Sequence, residues 1–155
     1  MDENILEVNN LNMHYETISG DVAAVKDITF HVKKGESFGL VGESGCGKTS
    51  VAMSLVQLQA DNAKITSGSI TLDGQELIGL SENELRSVRW DGISIVFQGA
   101  MNAWNPVIKI GEQIREAIRE HYPNNTKLQN IEKIKELFEM VGLSETIIDR
   151  FPHEL

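Results

Sequence analysis

The sequence predicts an α/β fold, and three observations carry that prediction. Strand-like apolar patterning is concentrated before residue 97, and helical periodicity takes over from about residue 108. A short apolar run at 37–41 passes straight into a glycine-rich stretch and then an amphipathic segment, the order strand, loop, helix. The change of texture at Pro106 divides the chain into a mixed α/β part, 1–105, and a helical part, 106–155. At 155 residues the chain is long enough to bury a real core.

The elements follow in order. Residues 4–9 and 12–16 read as short strands around a turn. Ile28, Phe30 and Val32 alternate with polar neighbours, as a half-buried strand requires. Lys34-Gly35 then turns the chain into the apolar run 37–41, expected as a buried strand. Beyond the glycines, Val51, Leu55 and Leu58 are spaced for one helical face. Ile70 and Leu72 lead into an Asp73-Gly74 turn, Ser81 and Glu84 have capping-box spacing, and 93–97 is a further β-rich apolar run.

In the second part, Ile114 and Ile118 mark an amphipathic helix that Pro123-Asn124-Asn125 breaks. Leu128, Ile131, Ile134, Leu137, Phe138 and Val141 share the face of another helix, ended by Gly142. Ser144 is placed to cap a last short helix before "FPHEL".

Composition removes several function classes. With 41% hydrophobic and 24% charged residues the chain reads as an ordinary globular protein. Fourteen basic against 23 acidic side chains give a net charge of −9, which argues against a broad nucleic-acid or anionic-lipid surface. The single Cys46 excludes an internal disulfide. The opening "MDENILEV" lacks the apolar core of a secretory signal, and no apolar run approaches the roughly 18 residues of a membrane span. Any membrane role is therefore expected to come through a partner. His14, His31, His121 and His153 show no metal-ligand spacing, and Arg86, Arg89 and Arg115 read as solvated helix faces.

The stretch "GESGCGKTS" is chemically unusual for a helix start. Glycine loses the most backbone freedom on ordering, and a lysine in the first turn opposes the positive end of the helix dipole. Both costs are offset if the loop wraps an anion. Gly42, Gly45, Gly47, Lys48 and Thr49 fit G-x-x-x-x-G-K-[ST], the P-loop pattern. Its backbone N–H groups converge on phosphate oxygens, and the helix N-terminus adds unpaired donors. The nucleotide contacts are thus expected at Gly42, Glu43, Ser44, Gly45, Cys46, Gly47, Lys48, Thr49 and Ser50. Lys48 would bridge β- and γ-phosphates, and the Thr49 hydroxyl would take one Mg²⁺ position. Cys46 has no chemical role here, but its alkylation is expected to obstruct the loop.

Together, Tyr15, "GESGCGKTS" and "ISIVFQGAMNAWNP" resemble the nucleotide-binding subunit of an ABC transporter. The likeness runs from about residue 4 to the last residue and is strongest to the oligopeptide/dipeptide importer group. Met101, Asn105 and Pro106 match that group's Met-x-x-Leu-Asn-Pro pattern, whereas Trp104 replaces the leucine. Gly99-Ala100 stands where the group often has an acidic residue and a proline. The resemblance implies a P-loop NTPase core with an antiparallel β part and the start of a helical subdomain. It also implies ATP and Mg²⁺ as ligands. Tyr15 would stack on adenine. Gln98, expected at a strand end, would sense Mg²⁺ and the attacking water. Trp104 is read equally as core packing or as a contact to a membrane subunit. Membrane-spanning permease subunits, met through the Gln98 loop and helical subdomain, and a second ATP-binding subunit, identical or not, are the implied partners, with no nucleic acid. The implied location is peripheral, on the cytoplasmic face of the membrane.

In that family "HEL" runs on into Leu-Ser-Gly-Gly-Gln, followed by an apolar strand ending in Asp-Glu and a later histidine; none of these occurs in residues 1–155. The chain is therefore expected to represent an N-terminal portion that does not hydrolyse ATP alone. Two core strands would be missing between 38–41 and 93–97, leaving apolar edges unpaired and the sheet incomplete. The alternative functions are a nucleotide-binding module without turnover and a soluble ABC-type ATPase without a membrane partner.

Overall fold

A computed structural model of the chain describes residues 4–99 and 103–155; Met101, part of the importer-like pattern, lies outside them. The chain forms two compact units, one ending at Ile95 and the other beginning at Val96.

The first unit is built on a four-stranded antiparallel sheet. Strand β1 (Asn4–Tyr15) lies between β2 (Val22–Lys33) and β3 (Ala63–Leu72), and β4 (Gln75–Glu76) closes the order β2-β1-β3-β4. The two short strands expected at 4–9 and 12–16 are one continuous strand. Asn10 takes a positive φ of 45° and absorbs the kink as a bulge, so both neighbouring ladders run on past it. Its side chain donates to Asp27 Oδ1 at 2.7 Å, and the Asp27 amide donates to Asn12 Oδ1 at 3.0 Å. The Asp73-Gly74 turn between β3 and β4 forms as expected, both residues at positive φ.

Apolar side chains of β1, β2 and β3 gather with Val51 of helix α1 (Lys48–Leu55) into the core, where Val8, Leu11 and Ile70 are fully buried. Helix α1 is shorter than its apolar spacing suggests. Gln57 turns to a positive φ of 52°, and Leu58, expected on the helical face, is 40% exposed.

The runs 37–41 and 93–97 are not buried strands. Neither pairs with a strand among the described residues, and Val41 and Val96 are 92% and 88% exposed. The physical reason is that an apolar run becomes a strand only when a neighbour completes its hydrogen-bond ladder. Phe38 finds partial cover by stacking on Phe30, ring centroids 4.9 Å apart. An open apolar groove of about 320 Å³ remains between Leu6, Val32, Leu40, Val51 and Leu55. The sheet is incomplete, as expected.

Helix α2 (Glu82–Asp91) starts with the predicted capping box. Hydrogen bonds from the Ser81 hydroxyl, and then from its amide, hold the Glu84 carboxyl below its ordinary value. Arg89, expected on a solvated face, instead folds back onto the end of α1. Its Nε donates to the Val56 carbonyl at 2.8 Å and its NH2 to the Gln57 carbonyl at 2.6 Å, while NH1 reaches Glu82 at 2.8 Å. These carbonyls lack partners where the helix ends, and a cation suits that end of the dipole. Arg89→Ala is expected to lower the stability of this unit by about 2 kcal/mol, since charged hydrogen bonds are lost and carbonyls orphaned. Arg89→Lys would recover only part, because a lysine has no fork to reach two carbonyls. Urea unfolding of the two variants checks both statements. Arg86 lies 61% exposed, as predicted, whereas Arg115 is half-buried with its Nε shielded from solvent.

In the second unit, α3 (Ile110–His121) and α4 (Lys127–Met140) bury Ile110, Ile118, Ile134 and Phe138 against one another. Of the two readings of Trp104, the structure shows packing: it lies against this cluster with Ile114, Ile147 and Ile148. The predicted stripe on α4 is only partly covered. Leu128 and Val141 are 73% and 68% exposed, while Asn130, absent from the stripe, is buried. Ser144 caps a 3₁₀ turn, Glu145–Asp149, through the Thr146 amide, and a second 3₁₀ turn, Pro152–Glu154, follows within "FPHEL".

Candidate functional site

The glycine-rich segment forms a tight loop at the start of α1. Gly47 sits at the helix N-cap with φ 95°, and a Cβ there would collide with the Ala24 carbonyl oxygen on β2. Only glycine meets both demands. A Cβ on Gly42 would lie 2.6 Å from Cys46 Sγ, so the loop also crosses itself closely at its beginning. The sequence pattern assigned these glycines to an incoming phosphate. The structure adds that Gly47 serves the docking of the loop on the sheet.

No side chain caps α1, and its first turn holds no acidic residue. The first helical bond runs from the Val51 amide to the Gly47 carbonyl at 2.9 Å, which leaves the amides of Lys48, Thr49 and Ser50 without intrahelical acceptors. That is an anion-seeking end, with Thr49 and Ser44 exposed beside it. The Lys48 ammonium is turned inward, donating to the carbonyls of Gly42 at 2.8 Å and Glu43 at 2.6 Å, with Cys46 Sγ at 3.6 Å. These carbonyls solvate the ammonium charge.

Tyr15 closes β1, paired with Val22 and Ala63, and its hydroxyl lies 3.1 Å from Ser50 Oγ. Two residues 35 positions apart are thereby joined at the loop, a link that spacing alone does not reveal. Ser50 is only 8% exposed. Gln98 belongs to the second unit, exposed in a turn before Gly99; it does not end a strand, because 93–97 forms none. Asn105 is held by Gln113 of α3. The Gln113 side chain accepts from the Asn105 amide at 2.9 Å and donates to the carbonyls of Asn105 and Ile108 at 3.0 and 2.8 Å. A glutamine within an amphipathic helix gives no local signal of such a clamp.

Among the described residues no three His, Cys, Asp or Glu side chains are grouped to hold a metal ion. A divalent cation at the loop would take Thr49 as a protein ligand and its remaining ligands from phosphate and water, which suits Mg²⁺. No helix among the described residues is long and apolar enough to cross a membrane.

The G-x-x-x-x-G-K-[ST] sequence, folded here over the open N-terminus of α1, is the mark of the P-loop NTPase class. Comparison with known proteins narrows this. The chain belongs to the ABC transporter family, whose pattern matches residues 25–155. It is 36% identical over 99% of its length to the dipeptide transport ATP-binding protein DppD of Lactococcus lactis, and covers 44% of that protein. It is 38% identical over 97% of its length to the oligopeptide transport ATP-binding protein OppD of Salmonella typhimurium, covering 45% of it. The chain thus spans less than half the length of these curated relatives. In three dimensions it is similar to MJ0796, a bacterial ABC transporter cassette solved as a dimer, with a TM-score of 0.81, 24% identity, and coverage of 97% of this chain and 62% of that one. The same cassette has been solved in a post-hydrolysis state bound to ADP and Pi.

Proposed function

We propose that the chain supplies the ATP-binding portion of an ABC importer subunit for peptides or similar solutes. The observation that supports it most is the loop at 42–50, whose helix amides and inward-turned Lys48 are ready for a polyphosphate. In this reading Lys48 exchanges the Gly42 and Glu43 carbonyls for phosphate oxygens. The amides of Gly45 through Ser50 hold the phosphate chain, with Glu43, Ser44 and Cys46 lining it. Thr49 gives its hydroxyl to Mg²⁺, which neutralises the phosphate charge when bound. Tyr15 offers a ring to adenine, and Gln98 would serve to sense Mg²⁺ and the attacking water. Permease subunits meet the Gln98 loop and the helical part, 106–155, at the cytoplasmic face of the membrane, and a second ATP-binding subunit completes the pair.

Residues 1–155 contain no apolar run ending in Asp-Glu and no Leu-Ser-Gly-Gly-Gln sequence. The second reading is nucleotide binding without turnover. Calorimetric titration with ATP–Mg²⁺, alongside steady-state hydrolysis, separates the two. Failure to bind millimolar ATP–Mg²⁺ would reject both readings.

Cys46 gives an independent probe. Its thiol is exposed on the loop beside Lys48. Alkylation is expected to block nucleotide binding, and bound ATP is expected to slow the labelling at least tenfold, since protection scales with the occupied fraction. Equal labelling rates with and without saturating ATP would count against phosphate in the loop.

A further inference from the structure

We propose that Ser50 is a positioning residue for Tyr15, tying base recognition to the phosphate loop through one hydrogen bond. The inference rests on the nucleotide-binding reading of the loop and assigns Ser50 a task within it. Ser50 Oγ lies 3.1 Å from the Tyr15 hydroxyl, at the first turn of α1. The residue is 8% exposed, so its side chain is spent on the interior more than on the open face of the loop. Its own backbone is fixed from below: Ser54, fully buried, donates its hydroxyl to the Ser50 carbonyl at 2.8 Å. Tyr15 is fixed from the other side, because its backbone pairs with Val22 and Ala63 and the following amide, of Glu16, donates to the Asn62 carbonyl at 2.7 Å.

A half-buried aromatic side chain at a strand end has more than one staggered setting open to it. The phenol–hydroxyl bond selects the setting that keeps the ring beside α1, next to the phosphate cradle. A ring preset in this way spares ordering entropy when a base stacks on it. The phenol hydroxyl then matters in addition to the flat ring, and Ser50 contributes to affinity for the base more than for the phosphates.

The test compares ATP with inorganic tripolyphosphate, both as Mg²⁺ complexes, by calorimetry on the full chain. Tyr15→Phe and Ser50→Ala are each expected to weaken ATP roughly fivefold, the worth of one net hydrogen bond, and to leave tripolyphosphate within twofold. The double variant is expected to match the single ones, because both remove the same bond. Ser50→Thr, which keeps a hydroxyl, is expected to restore ATP affinity. If Ser50→Ala weakens tripolyphosphate as much as ATP, or if the two substitutions add, Ser50 acts on phosphate directly and the positioning role is overturned. A wild-type chain that binds neither probe removes the nucleotide reading itself, and this inference with it. Tyr15→Phe guards against a folding artefact, since it deletes one surface-proximal oxygen and no packing volume.

Discussion

Gly47→Ala is expected to be strongly damaging to both the fold and the loop. At φ 95° an alanine pays about 1–2 kcal/mol for left-handed backbone. The added carbon also meets the Ala24 carbonyl, a backbone atom that cannot rotate away. The loop must lift off β2 or the strand must give, and together these bring the cost to about 3 kcal/mol or more. Urea unfolding followed by circular dichroism measures it. The same displacement moves the start of α1, so nucleotide affinity is expected to fall at least tenfold. Gly42→Ala separates the causes: its Cβ meets only Cys46 Sγ, a side-chain atom able to turn aside, so its stability loss is expected to be the smaller. A Gly47→Ala protein as stable as its parent would show that the contact with β2 carries no strain.

Lys48→Ala is expected to weaken ATP–Mg²⁺ binding on the order of a hundredfold while leaving the fold intact. Charge-assisted hydrogen bonds to phosphate contribute roughly 1.5–3 kcal/mol each, and the lysine makes more than one. Against that stands the loss of its present bonds to Gly42 and Glu43, which it must give up whenever phosphate arrives. The net effect is therefore smaller than the sum of the new bonds. Salt dependence offers a second readout. With one cation fewer at the site, log affinity should fall less steeply with log salt. Isothermal titration at two ionic strengths checks both expectations, and an affinity within threefold of the parent would sink the assigned role of Lys48.

What the sequence made legible was local. The loop pattern, the Asp73-Gly74 turn, the Ser81–Glu84 box and the stop at Gly142 each depend on residues a few positions apart, and each forms. What it hid depends on distant partners. The runs 37–41 and 93–97 have the composition of buried strands, yet composition cannot say whether a neighbouring ladder is present. Arg89 lies in a helix otherwise facing water, and only the turn of the chain after Val56 brings it two carbonyls. At the candidate site the glycine loop opening α1 was readable because its residues are contiguous in the sequence. The Tyr15–Ser50 bond was not, because it spans a sheet and a helix. Gln98 stands out only through its neighbouring residues, and its expected strand setting is absent.

Phe38, Leu40, Val41, Val96 and Phe97 all face solvent to a large degree, and this governs how the molecules treat one another. Short-range attraction between such greasy segments works against the long-range repulsion of a net charge of −9. Physiological salt shortens the reach of that repulsion to about 8 Å and leaves the attraction untouched. The colloidal balance therefore tips toward clustering as ionic strength rises, and dilute, low-salt buffer is the medium in which single chains persist.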